Sequence, residues 1–431
     1  MKFDAVDRLA GDLVPPPDKS VSHRAAIVGA MSDGKVRVNG YLRSADTSAT
    51  LEAVGALGAR LVDAKPRGRG LDLELVGAGL RGADPGAAAI DVGNAGTLIR
   101  MLPGWLAGQP RGRWALQGDE SIARRPVDRV VHPLRRMGAT VDCREGGLPP
   151  IVVEGSDLHG VEYELPVASA QVKSCVLLAG LLADSETTVV QPLPTRDHTE
   201  IMLRKAGVDV RAHAERVSVG PERRLQLGEV DVPGDFSSAA FFVAAATLIP
   251  GSEVRLRGVG VNPTRTGFLR VLQRMGGDVE LDRRAGDGGE PVADLVVRSA
   301  PLRGTEVEGE EVPLAIDELP LVALLGAFAE GTTIVRGAEE LRRKESDRVM
   351  TVVDGLRALG ARIEAAPDGF VVAGGGELHG GRIDAAGDHR IAMLGAVAGL
   401  ASRTGVEVDG FEAAEVSYPT FADDLAQLVA R

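Results

Sequence analysis

A polar motif, a short Ala-rich apolar run, a Gly-containing turn and a β-branched strand recur six times along the 431 residues. The copies are PDKSVSHRA at Pro17, GNAGT at Gly93, ASAQVKS at Ala168, GDFSSAA at Gly234, IDELP at Ile316 and GDHR at Gly387. Their leading residues Lys19, Asn94, Ser169, Asp235, Asp317 and Asp388 stand 75, 75, 66, 82 and 71 positions apart. A repeat of this kind constrains the fold more than any composition, because each unit is too small to bury its own apolar face and must pack on its neighbours. Between the copies, helices read as stopping on Gly and passing into a strand: ALGARLV at Ala56, RMGATVD at Arg136, KAGVDV at Lys205, RMGGDVE at Arg274 and ALGARIE at Ala358. Gly tolerates the left-handed conformation that ends a helix. Each unit therefore reads as strand, helix, strand, helix, strand, strand. Six units divide most simply into two three-repeat domains, 16–230 and 1–15 with 231–431, an α/β architecture of βαβαββ repeats.

Hydrophobic residues make up 44% of the chain but aromatics only 3%, so the cores are expected to be Ala, Val and Leu with helices lying close on sheets. A net charge of -12 gives no general affinity for nucleic acid or an anionic membrane, so any anion site must be local. The opening MKFDAVDRLAGDL carries acids where a secretory leader needs an apolar core. The runs from Ala239 to Ile249 and Leu321 to Ala329 are too short to span a bilayer. Two cysteines, Cys143 and Cys175, no CxxC and no metal-type His spacing point to a cytoplasmic, reduced chain without metal or cofactor.

The leading motifs concentrate anion-binding chemistry. Lys19 and Ser20 open a helix with Arg24 one turn on, so all three can address one anion. Asn94 reads as an N-cap, with Gly93 and Gly96 letting backbone amides approach a bound group. Arg124 and Arg125 precede Pro126, which suits a first helical turn. Ser169, Gln171 and Lys173 put hydroxyl, amide and ammonium donors in one turn, and Arg196, His198 and Glu200 open the next helix. Three of the chain's seven lysines, Lys19, Lys173 and Lys344, fall in these motifs. In the second half Asp235 reads as a cap, Asp317 lies at the mouth of a featureless helix, and RRKESDR mixes cations with Glu345 and Asp347. Taken singly, each is as readily an ordinary cap, an internal ion pair or a solvated surface helix. Taken together, six differentiated helix starts would aim positive ends at one interdomain cleft.

The ordered set DKS, GNAGT, RRP, SAQ with Lys173, RDHTE, NPTR, KESDR and DHR, spread over nearly the whole chain, resembles the 5-enolpyruvylshikimate-3-phosphate synthase family, in its second sequence class. The resemblance implies a two-domain inside-out α/β barrel-like fold, the enolpyruvyl transferase fold. It implies transfer of the enolpyruvyl group of phosphoenolpyruvate to the 5-hydroxyl of shikimate 3-phosphate, with release of phosphate, by a monomer that needs no metal. On that likeness Ser20, Arg24, Ser169, Gln171, Arg196, Asp317 and Lys344 would hold shikimate 3-phosphate. Lys19, Asn94, Gly96, Arg125, Gln171, Arg348 and Arg390 would hold phosphoenolpyruvate. Asp317, Glu345 and Lys19 would handle protons, Glu345 with a raised pKa when substrates are bound.

Three positions depart from the family pattern: Ala170 stands where a second Ser is common, Val416 and Ser417 occupy the place of a C-terminal Lys, and Gly96 replaces Ala. Two alternatives stay open. The sister transferases acting on UDP-N-acetylglucosamine use a loop Cys, whereas Cys143 reads in a strand and Cys175 in an apolar helix. A non-catalytic scaffold for phosphorylated ligands or partner proteins would also need repeats, but only generic caps.

Overall fold

The computed structural model describes residues 1–284 and 289–429. They form two compact units, one of Met1–Pro16, 234–284 and 291–429, the other of Pro17–Pro233 with 289 and 290. The chain changes unit at Pro16/Pro17 and Pro233/Gly234, one and three residues past the boundaries expected from sequence. Residues 289 and 290, expected with the second half, group with the first.

The unit built from Pro17–Pro233 contains α1 (Lys19–Met31), α2 (Ala45–Ala56), α3 (Gly96–Ala107), α4 (Asp128–Arg136), α5 (Ala170–Gly180) and α6 (His198–Lys205). Its three four-stranded sheets share one plan. In the middle copy, Ala89–Asp91 runs parallel to Arg113–Gln117, with Ile90 opposite Leu116. Parallel neighbours need a crossover, and α3 supplies it. After α4, Thr140–Arg144 and Leu148–Glu154 pair antiparallel, and Leu148–Glu154 also pairs with Arg113–Gln117. The first copy takes its leading strand, Glu229–Asp231, from the far end of the unit, with Val230 opposite Val38.

The other unit contains α7 (Phe236–Leu248), α8 (Gly267–Arg274), α9 (Glu311–Ala315), α10 (Leu319–Phe328), α11 (Arg348–Ala358), α12 (His389–Ala401) and α13 (Phe421–Leu428). Two of its sheets repeat the four-stranded plan, the first led by Ala10–Leu13 parallel to Glu253–Gly260. The sixth copy has three strands, with Lys2–Phe3 set antiparallel to Val406–Asp409 where the other copies carry a hairpin.

The helices that follow the leading motifs are buried almost all round, as their composition demands. Of α7, FSSAAFFVAAATL, only Leu248 escapes burial. In this unit α7, α10 and α12 pack pairwise, and in the other α3 packs on both α1 and α5. Small side chains permit the close approach: a Cβ on Gly104 of α3 would lie 2.1 Å from the carbonyl oxygen of Cys175 on α5. The five Gly stops behave as one motif. Gly58, Gly138, Gly207, Gly276 and Gly360 have φ between 89° and 102°. In each, the next residue's N–H reaches back to the third helical residue before the cap, as in Ala59 to Val54 at 3.0 Å and Ala361 to Leu356 at 2.9 Å. Among the described residues no helix is long and apolar enough to cross a membrane.

Candidate functional site

In the unit of α1 to α6, the first turns of three buried helices carry the expected side chains. Asp18 caps α1 by accepting from Val21 N at 2.8 Å, which leaves Lys19 at the helix mouth. Lys19 Nζ donates to Asp46 Oδ2 at 3.1 Å, across to the start of α2. Ser169 caps α5, accepting from Val172 N at 3.4 Å. Gln171 Nε2 donates to Thr97 Oγ1 at 3.0 Å, so the starts of α5 and α3 lie side by side. Above Gly96 a Cβ would meet Arg125 Nη1 at 3.0 Å and Arg100 Nη1 at 3.1 Å. Two guanidiniums therefore converge on the amino end of α3, and Gly is what admits them.

Behind this face lies a buried polar frame. Arg24, 2% exposed, donates from Nε to Thr199 Oγ1 at 2.7 Å, from Nη1 to Ser20 O at 3.0 Å and from Nη2 to Ser174 Oγ at 3.1 Å. Those bonds tie α1 to α5 and α6. Burial lowers the Arg24 pKa to about 10; Glu200 opposes the shift and Arg196 adds to it. Lys173 Nζ, buried on α5, stands 2.6 Å from Glu200 Oε1 of α6 and also donates to Gln191 and to the Thr195 carbonyl.

In the other unit, the starts of α7, α10, α11 and α12 meet in one ionic cluster. Arg348, 1% exposed, lies 3.3 Å from Asp317 Oδ1, 2.5 Å from Glu345 Oε2 and 2.8 Å from Asp388 Oδ2. Asp317 is also approached by Arg390 Nη2 at 3.5 Å, Arg265 Nη1 at 3.5 Å and Lys344 Nζ at 3.9 Å. Arg265 donates to Ser237 Oγ at 2.7 Å, and Ser237 donates to Glu318. Burial works against the Arg348 charge, but Asp388, Glu345 and Asp317 outweigh it and its pKa is raised. Asp388 is the mirror case: burial opposes its charge, and Arg348 holds its pKa below the usual carboxylate value. Helix amino ends favour the acids as well.

Four local expectations are corrected. Asn94 does not cap α3; its amide donates to Asp119 Oδ2 at 2.7 Å, and Ala95 holds the cap position with no side-chain bond. Pro126 is not in a first helical turn, because a 3₁₀ segment Ile122–Arg124 intervenes and α4 begins at Asp128. Glu200 pairs with Lys173, a partner not expected from its spacing to Arg196. RRKESDR is not a surface helix: it leaves a 3₁₀ turn, Glu339–Arg343, and enters α11 with Asp347 as cap and Arg348 buried. Cys143 and Cys175 do lie in a strand and a buried helix, and burial pushes the Cys175 thiol up to about 12.

Each unit therefore gathers its own share of the expected residues. Lys19, Ser20, Arg24, Asn94, Gly96, Arg125, Ser169, Gln171 and Arg196 belong to one, and Asp317, Lys344, Glu345, Arg348 and Arg390 to the other. Sequence reading placed none of Arg265, Ser237, Glu318 and Asp388 among the substrate-binding or catalytic residues. The signal for Arg265 was its place in NPTR, a turn between a strand and a helix; for the others it was adjacency to a singled-out neighbour. Among the described residues no group of three or more His, Cys, Asp or Glu is arranged to hold a metal ion.

Comparison with known proteins matches residues 3–425 to the family model for EPSP synthase (3-phosphoshikimate 1-carboxyvinyltransferase). The 3-phosphoshikimate 1-carboxyvinyltransferase of Alkalilimnicola ehrlichii is 47% identical over 416 residues, covering 96% of this chain and 92% of that one. The Geobacter sulfurreducens protein of the same name is 46% identical over 424 residues, 98% and 97% of the two chains. A solved EPSP synthase from Acinetobacter baumannii superposes with a TM-score of 0.87 at 39% identity, covering 99% of this chain and 97% of that one. The enolpyruvyl transferase NikO from Streptomyces tendae shares the fold, with a TM-score of 0.77 at 21% identity over 100% and 97% of the chains.

Proposed function

The chain belongs to the EPSP synthase family, the 3-phosphoshikimate 1-carboxyvinyltransferases of the shikimate pathway, and we propose that it works by addition and elimination through a tetrahedral intermediate, in a cleft between its two units. The enolpyruvyl group of phosphoenolpyruvate passes to the 5-hydroxyl of shikimate 3-phosphate, and inorganic phosphate leaves. Each substrate brings a phosphate and a carboxylate, so four anionic groups must be neutralised. Arg forks and helix amides suit that task. Ser20, Arg24, Ser169, Gln171, Arg196, Asp317 and Lys344 take shikimate 3-phosphate; Lys19, Asn94, Gly96, Arg125, Gln171, Arg348 and Arg390 take phosphoenolpyruvate.

The observation that carries this reading is the single ionic cluster joining Asp317, Lys344, Glu345, Arg348 and Arg390. Without substrate these groups neutralise one another. An arriving phosphoenolpyruvate supplies anions for Arg348 and Arg390, which releases the carboxylates they hold. Asp317 then takes the proton of the 5-hydroxyl as base while the hydroxyl oxygen adds to the phosphate-bearing carbon of phosphoenolpyruvate; Glu345, freed from Arg348 and protonated from solvent, delivers a proton to the methylene carbon and takes one back from the resulting methyl group as the C–O bond to phosphate breaks. Lys19 relays protons. The missing C-terminal Lys and the Ala170 substitution leave fewer phosphoenolpyruvate and phosphate contacts, and the Arg125 and Arg100 pair over Gly96 supports a compensating grip.

Phosphate release assayed with and without shikimate 3-phosphate tests the reading. Release should require shikimate 3-phosphate and should not occur with UDP-N-acetylglucosamine. Asp317→Asn and Glu345→Gln should each lower kcat by about 10²- to 10⁴-fold, the usual weight of general acid–base catalysis. Near wild-type turnover in either variant, with normal binding, refutes its proton-transfer role. The protein is expected to be monomeric in light scattering.

A further inference from the structure

The NPTR turn has no task in the reaction proposed above, yet its arginine sits among the acids of the ionic cluster. Arg265 is buried, its side chain 3% exposed, and its guanidinium faces groups on two helix starts. It donates to Ser237 Oγ at 2.7 Å and lies 3.5 Å from Asp235 Oδ1, both at the mouth of α7. It lies 3.5 Å from Asp317 Oδ2 and 3.9 Å from Glu318 Oε1, both at the mouth of α10. The turn is itself held: Asn262 Oδ1 accepts from Thr264 N at 2.9 Å and from Thr264 Oγ1 at 2.7 Å, and Arg265 N donates to Asn262 O at 2.8 Å.

Charged groups surround Asp317 on every side. They are Asp235 before α7, Arg265 before α8, Glu318 before α10, Lys344, Glu345 and Arg348 around the start of α11, and Asp388 with Arg390 at α12. Of the cations beside Asp317, Lys344, Arg348 and Arg390 each have a substrate anion in the proposed reaction. Arg265 has none, and its burial between two helix starts keeps it with the acids.

We propose that Arg265 is a positioning residue for the transfer: it holds the Asp317 carboxylate in place against α10 while the other cations exchange that carboxylate for substrate. This rests on Asp317 acting as the base. A misplaced catalytic group typically costs about 100-fold, so Arg265→Met should lower kcat by about that much. Its affinity for shikimate 3-phosphate, by calorimetry, should stay within about threefold of wild type. Arg265→Lys, which keeps the charge and loses the fork, should recover about tenfold of the loss. A change confined to KM, with kcat kept, overturns the assignment.

Removing Arg265 alone leaves buried acids facing each other, and that variant can fail to fold. Arg265→Met combined with Asp235→Asn and Glu318→Gln relieves the charge; wild-type turnover in this triple variant would reduce Arg265 to charge balance and refute the proposal. In an Asp317→Asn background Arg265→Met should cost no more than about threefold further, because its effect runs through that carboxylate. Fully additive losses overturn the Arg265 role alone. An Asp317→Asn protein with intact turnover instead refutes the base assignment, and the Arg265 proposal falls with it.

Discussion

Arg24 and Arg348 are both motif arginines, and both are buried, yet their surroundings send them in opposite directions. Arg24 bonds to two hydroxyls and a carbonyl, so burial prevails and its pKa falls to about 10. Arg348 bonds to three carboxylates, which overcome the same burial and raise it. His23, one residue before Arg24, shows how burial couples to pH. Its Nδ1 lies 2.7 Å from Thr50 Oγ1, and burial pushes the ring down to about 3 from 6.5, Asp46 opposing while Lys19 and Arg24 contribute. The unfolded chain binds this proton below pH 6.5 and the folded chain does not, so stability present above 6.5 drains away as pH falls toward 3. The slope is about 1.4 kcal/mol per pH unit. His23→Gln lacks this group, so the stability gap between wild type and variant should be about 2 kcal/mol smaller at pH 5 than at pH 7.5. Urea unfolding measures both; parallel pH curves would show that the imidazole is not held neutral.

At the scale of elements, two sets of helices do different work. In α2, α4, α6, α8 and α11 the carboxyl ends are uniform: all five stop on a left-handed Gly with the same backbone bond. In the six motif helices α1, α3, α5, α7, α10 and α12 the amino ends are individual, capped by Asp18, Ser169, Asp235 and Asp388 in four copies and lacking a side-chain cap bond in the other two. Stability is thus repeated along the chain while chemistry is confined to one end of each unit. The Lys173–Glu200 pair shows what fastens those ends, since it joins α5 to α6 with both groups out of solvent, at 0% and 2% exposure. Lys173→Met strands a buried carboxylate and should cost about 3–5 kcal/mol. Adding Glu200→Gln removes the stranded charge, and the double variant should regain at least half of that loss. Chemical denaturation of the four proteins in the cycle decides it; a double variant as unstable as the sum of its parts would mean the two groups act independently.

For the whole molecule, the crossings at Pro16/Pro17 and Pro233/Gly234 are links between units that the proposed cleft would use as hinges. Shikimate 3-phosphate should therefore lower the radius of gyration in small-angle scattering, and an unchanged radius at saturation would count against closure. Much of this protein was legible in one dimension because its information is repeated. Six polar motifs at near-constant spacing and five Gly stops mark helix starts and ends, since caps and left-handed stops are local backbone chemistry that needs no distant partner. Partners across the chain were not legible. Nothing local in RDHTE says that Glu200 pairs with Lys173 instead of a neighbour, nothing in GNAGT says that Asn94 turns to Asp119, and nothing in NPTR says that Arg265 reaches Asp317, 52 residues on. The sequence by itself determined near which motifs six of the helices begin, on which glycines five others end and which side chains crowd the motif helices' mouths. Only the tertiary structure decided which buried charge meets which, because that depends on helices far apart in the chain being brought within 4 Å in a dry interior, where an unmatched charge is too costly to keep.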